Sequence, residues 1–177
     1  MPNSISGSLK IRGKYDDVKR FFEEVLNTYR CEWDDEKKIS KNVVNEKSDW
    51  LVGMEEYGEV GERSLEINIK PGEWVYVEGT SRAFITSDFI CMYERKNRAG
   101  SIIPTVAFCE IRQAWCFRKS DWLKIAKEYN VDVRVWGLER GMEFGQETII
   151  ENGTVTKDEE FYYKDWDWES PMPWLGG

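Results

Sequence analysis

The chain has 177 residues, with 33 acidic side chains against 25 basic ones, a net charge of −8 and an aromatic content of 14%. That aromatic content excludes a disordered chain, and the acidic balance argues against broad electrostatic capture of nucleic acid or anionic membrane, although a local basic patch survives it. Histidine is absent, which removes the commonest general base and zinc ligand, and with them every Ser-His, Cys-His or His-metal mechanism.

Taken in chain order, residues 4–12 alternate as a strand that ends at Gly13. Lys14 to Tyr29 reads as a helix, with Val18, Phe21, Phe22, Val25, Leu26 and Tyr29 on one face and Asp16 and Asp17 near its positive end. From Cys31 to Glu62 the pattern fades. Trp50 to Met54 reads as a short strand or a buried turn, and Glu55 to Arg63 as a solvated loop. Leu65, Ile67 and Ile69 alternate as a strand, and a Lys70-Pro71-Gly72-Glu73 hairpin turn leads to Trp74–Val77. Ala83–Ile85 is a further short strand, and Thr105 to Trp115 is a central one. A second helix spans about Ser120 to Asn130, capped by Ser120, with Trp122, Ile125, Ala126 and Tyr129 as its buried stripe. Val131, Val133 and Val135 form the next strand, and Asn152-Gly153 joins Gln146–Glu151 to Thr154–Thr156 as a hairpin.

This order suggests a ferredoxin-like α+β domain over residues 1–156, an antiparallel sheet with two helices on one face, elaborated at 30–64. A related α+β sandwich with a differently paired middle is the alternative. Residues 157–177 form an acidic, aromatic extension. Cys31, Cys91, Cys109 and Cys116 have neither zinc-knuckle nor cluster spacing, so buried free thiols and no metal or other cofactor are expected. The opening Met1-Pro2-Asn3-Ser4 leads into a strand rather than an apolar leader, and no run approaches the ~20 apolar residues of a membrane span. A cytoplasmic protein without membrane contact is expected.

Both ends of the chain carry a recognisable pattern. Ser8-Leu9-Lys10-Ile11-Arg12-Gly13 with Asp16-Asp17-Val18 and Phe21, then Phe108 to Trp115, a helix with Leu123, Ala126, Lys127 and Tyr129, Val133-Arg134-Val135, and Gly141-Met142-Glu143-Phe144-Gly145 resemble the YubB-like ferredoxin-like domain family. The chain departs from it at Asn3-Ser4-Ile5, where members carry Asn-Trp-Cys, and at Trp115-Cys116-Phe117-Arg118, where they carry Trp-x-Pro-Pro. The resemblance implies that fold and a phage, plasmid or mobile-element origin, and carries no activity over to particular residues.

Two surfaces are candidates for function. One is acidic and aromatic: Glu55, Glu56 and Glu59 in one set, and Asp158, Glu159, Glu160, Asp165, Trp166, Asp167, Trp168 and Glu169 in another. Rings flanked by carboxylates suit docking onto a basic protein surface. The expected function is therefore non-enzymatic: binding and inhibition of a host protein or ribonucleoprotein, such as a nucleic-acid-guided defence complex, in the manner of an anti-CRISPR protein. The alternative is nucleic-acid binding by a basic aromatic patch of Tyr93, Arg95, Lys96, Arg98, Arg118 and Lys119. A carboxylate pair, Asp165 and Asp167 on one strand face, is the only enzymatic arrangement on offer, and nothing in the sequence places it in a pocket.

Overall fold

The computed structural model describes residues 3–34, 39–44, 51–57, 62–67, 73–87, 90–96 and 99–177. The first strand, β1 (Ser4–Gly13), buries Ile5, Leu9 and Ile11 and turns Lys10 and Arg12 to the other face, as its alternation predicts. Helix α1 (Tyr15–Val25) buries Val18, Phe21, Phe22 and Val25. It stops four residues short of the predicted Tyr29. Leu26 is already extended at φ −85° and ψ 127°, and Leu26–Asp34 forms strand β2. Val25, Leu26 and Tyr29 suit either period, and pairing of Leu26 with Val77 and of Tyr29 with Trp74 decides for the strand.

The remaining elements are β3 (Ile39–Val44), β4 (Leu51–Tyr57), β5 (Glu62–Ile67), β6 (Glu73–Val77), β7 (Ala83–Ile85), β8 (Cys91–Lys96), β9 (Ile102–Ala114), α2 (Lys119–Tyr129), β10 (Asp132–Glu139), β11 (Phe144–Glu151), β12 (Thr154–Tyr162) and α3 (Trp166–Glu169). One ten-stranded sheet runs β12-β11-β10-β1-β9-β7-β6-β2-β3, with β8 also on β9, and β4-β5 pair separately. Every pairing among the described residues is antiparallel.

The ferredoxin-like α+β expectation is overturned by this sheet. In that fold the strand after the first helix lies beside the third strand of the core. Here β7 and β6 stand between β9 and β2, while β11, β12 and β3 extend the two flanks. Among the described residues, a long antiparallel sheet with three short helices replaces the four-stranded layer. The predicted hairpin through Lys70–Glu73 is also corrected, because β5 pairs with β4, and β6 pairs with β2 and β7; residues 68–72 lie outside the described residues. Glu55–Tyr57 and Glu62–Arg63 are strand, not loop.

Later elements follow the sequence more closely. Helix α2 buries Trp122, Ile125, Ala126 and Tyr129 and ends on Asn130 in the left-handed region. Its N-cap is Arg118 rather than Ser120, whose hydroxyl instead donates to Asp121. Asn152 (φ 50°) and Gly153 (φ 68°) make the expected tight turn, and β12 continues six residues past Thr156 to Tyr162. Helix side chains and sheet side chains form one core, with Phe21, Phe22, Trp122 and Ile125 against Leu9, Ile11, Ala107, Ile111, Val133 and Val135.

The loop before α2 is held by a buried amide. Gln146 on β11 accepts from the Phe117 backbone N–H at 2.8 Å and donates to its carbonyl at 2.9 Å. The Phe117 ring lies so close to Gly137 that a Cβ there would stand 2.9 Å from it. Phe161 covers Gly145 more tightly still, at 2.0 Å from such a Cβ.

Candidate docking surface at one end of the sheet

The end of the sheet at which β1 begins is assembled from five places in the chain. Ser4 pairs with Ala114, Glu139 with Phe144, and Phe144 with Tyr162. Trp115 follows β9, and its N–H donates to the Asn3 carbonyl at 3.0 Å. The β10–β11 turn carries Met142 and is shaped by buried Glu139, whose carboxylate accepts from the Gly141 and Met142 N–H groups at 3.0 and 2.6 Å. Beyond β12 the tail folds back across this end. Gly177 N–H donates to the Ser4 carbonyl, and the Gly177 carbonyl accepts from the Ser4 hydroxyl and from Arg112.

The tail is fixed by one tryptophan and presents two others. Trp166 is 6% exposed, stacks edge-on with Tyr163, and donates from its indole N–H to the Pro173 carbonyl at 2.9 Å. It is therefore a structural anchor and not a contact residue, which corrects its place among the partner-binding residues. Trp168 is 86% exposed and Trp174 70%. Trp115, Met142, Tyr162 and Met172 are exposed as well. Of the seven exposed large apolar side chains among the described residues, only Phe108 lies elsewhere.

Carboxylates surround these rings. Glu143, Glu160, Asp165, Asp167 and Glu169 are exposed here, with Arg140 and Lys164 as the exposed cations. Asp165 caps α3 by accepting from the Trp168 N–H, and Glu169 accepts from the Lys164 N–H at 2.8 Å. Asp165 and Asp167 stand at the start of a helix, so the single strand face imagined for a catalytic pair does not exist. Glu160 accepts from the Tyr162 hydroxyl at 3.2 Å, and that bond pushes the phenol up from its ordinary value.

Other members of the two candidate sets are already engaged. Asp158 accepts from the Lys119 ammonium at 2.6 Å and from the Thr148 hydroxyl at 3.0 Å. Burial alone would raise its carboxyl, but these bonds hold it below the usual range. An acidic candidate and a basic candidate thus neutralise each other. Glu159 is largely exposed and pairs with Lys157 at 3.2 Å. Glu55 and Glu56 lie on β4 opposite Ser64 and Arg63, in the separate two-stranded sheet, and Glu59 lies outside the described residues. Tyr93, Arg95 and Lys96 lie on β8 along β9, Arg118 is exposed at the N-cap of α2, and Arg98 lies outside the described residues.

Met142 and Met172 were not candidates in the sequence, where Trp115 stands beside the basic residues Arg118 and Lys119. Trp115 sits at a strand end where packing is the default, yet at φ 69° the chain turns out of the sheet and leaves the indole 54% exposed. Two thiols are described: Cys109 is buried, which pushes it far above the ordinary thiol range, and Cys116 is half-buried and raised by burial. Among the described residues no group of acids and cysteines could hold a metal ion, and no helix is long and apolar enough to cross a membrane. A scan against protein-family models found no match, and neither the curated proteins nor the solved structures held one.

Proposed function

We propose that this chain works by binding rather than catalysis, and that it docks onto a protein partner through the acidic, aromatic end of its sheet. The convergence there of six exposed Trp, Tyr and Met side chains from separate segments carries the reading. Such side chains are the usual energetic centres of interfaces, and clustered exposure of this kind marks interaction sites. The surrounding carboxylates select a basic partner surface and speed encounter with it. In its sharper form the proposal names a host protein of the bacterial cytoplasm whose groove normally holds nucleic acid, as in a nucleic-acid-guided defence complex, which the carboxylates occupy in its place. The resemblance to mobile-element proteins supports that form.

The test is affinity capture from nuclease-treated bacterial lysate with the wild type and a Trp168→Ala/Trp174→Ala variant. A protein retained by the wild type after nuclease and lost by the variant supports the reading. Equal recovery by both, or recovery that vanishes with nuclease, refutes it.

A further inference from the structure

At the opposite end of the sheet, two clefts share Arg12 and Asp132. One, of about 260 Å³, opens on the sheet face turned away from the helices and includes Lys10, Arg134 and Glu151. The other, of about 410 Å³, lies between the end of β1, the end of α2 and the Asn152-Gly153 turn, and includes Lys14 and Lys127. Together they form one groove that wraps around the end of the sheet. Five cations line it against two carboxylates. Both carboxylates are spent on the Arg12 guanidinium, at 2.6 Å to Asp132 and 2.7 Å to Glu151.

The remaining cations differ in their freedom. Arg134 is bonded to Glu147. Lys14 and Lys127 have no ion-pair partner among the described residues, and the Lys10 ammonium lies 5.9 Å from the centre of the Phe108 ring. Phe108 is 44% exposed, and register places Phe108, Lys10 and Arg134 side by side across three strands. On a chain of net charge −8, this is a local positive stripe with a partly exposed aromatic ring at one end.

We infer that the groove binds single-stranded nucleic acid, with phosphates on Lys14, Lys127 and Lys10 and a base stacked on Phe108. A cationic track with a stacking ring is how single strands are held without sequence preference. A duplex keeps its base faces stacked internally and offers the ring nothing. From Lys10 to Lys14 the chain advances roughly 13 Å, so more than one phosphate is spanned. This inference is independent of the docking surface, which occupies the other end of the sheet and involves none of these residues.

Fluorescence anisotropy of a short labelled oligothymidylate at low salt tests it. The wild type is expected to bind, with affinity falling as salt rises. Lys14→Gln/Lys127→Gln should weaken binding and flatten the logarithmic salt dependence by about 1.4, for two phosphates lost. Phe108→Ala should weaken binding at least about fivefold with the salt slope unchanged, and Lys124→Gln, outside the groove, should change neither. All four replaced side chains are exposed, so matching thermal transitions establish that the variants fold. No binding at low salt overturns the proposal, and so does binding indifferent to both groove variants. Competition by thymidine monophosphate as effective as by the oligonucleotide would also overturn it, by reducing the groove to a pocket for one phosphate.

Discussion

Replacing Gln146 with leucine removes the carboxamide that spans the Phe117 backbone while keeping a side chain of similar size. Gln146 is 5% exposed and Phe117 1%, so water does not replace the lost partners. The bonds broken are 2.8 and 2.9 Å long, and each leaves one buried backbone group unpaired. An orphaned buried donor or acceptor costs about 1–3 kcal/mol, and the apolar leucine offsets part of the total, for a net loss of about 2–4 kcal/mol. For a domain of this size that lowers the thermal midpoint by about 4–16 °C. Gln146→Glu sharpens the test. Its carboxylate can accept from the Phe117 N–H but cannot donate to the carbonyl, and it lies beside Asp158, to which Gln146 also hydrogen-bonds. Burial and that neighbour raise the pKa of the new carboxyl in the folded state, so its protonated form, which both donates and accepts, is favoured. This contribution is fully present below the unfolded carboxylate range and is lost as pH rises through the folded value. Relative to Gln146→Leu, the Glu variant should therefore gain stability as pH falls. Urea unfolding of the three proteins across acid and neutral pH measures this. A leucine variant within about 0.5 kcal/mol of wild type would refute the reasoning.

Three further outcomes are expected. Gly145→Ala should destabilise by about 1–3 kcal/mol, because its Cβ would stand 2.0 Å from the Phe161 ring; adding Phe161→Ala should recover part of the loss, as a double-mutant cycle would reveal. Burial alone would raise the Glu147 carboxyl, but bonds from Lys157 and Arg134 hold it below its ordinary value, as Lys119 does for Asp158. Their contribution is present above the ordinary carboxylate range, near about 4, and is lost as pH falls through the lower folded values, so Glu147→Gln should lose least relative to wild type in strong acid. Trp168→Ala and Trp174→Ala should leave the urea midpoint almost unchanged, within about 0.5 kcal/mol, whereas Trp166→Ala should cost about 3 kcal/mol through its lost packing and its bond to Pro173.

The features in which sequence and structure agree are local ones. The alternation of Leu9, Ile11, Val133 and Val135, the buried stripe of α2 and its stop at Asn130, and the Asn152-Gly153 turn depend on period and turn chemistry within a few residues. Pairing between distant segments has no such local signature. The sequence around Leu26–Tyr29 is compatible with helix or strand until Val77 and Trp74 arrive beside it, and β7 and β6 enter between β9 and β2 without a mark in the pattern. The same division holds for the surfaces. Composition establishes that acids exceed bases, but register decides which of them are free. Asp158 meets Lys119 because β12 runs beside the start of α2, and the Arg12 guanidinium spends itself on Asp132 and Glu151, leaving Lys14 and Lys127 facing an open groove. A side chain's charge belongs to the residue, whereas its availability depends on neighbours that only the folded chain supplies.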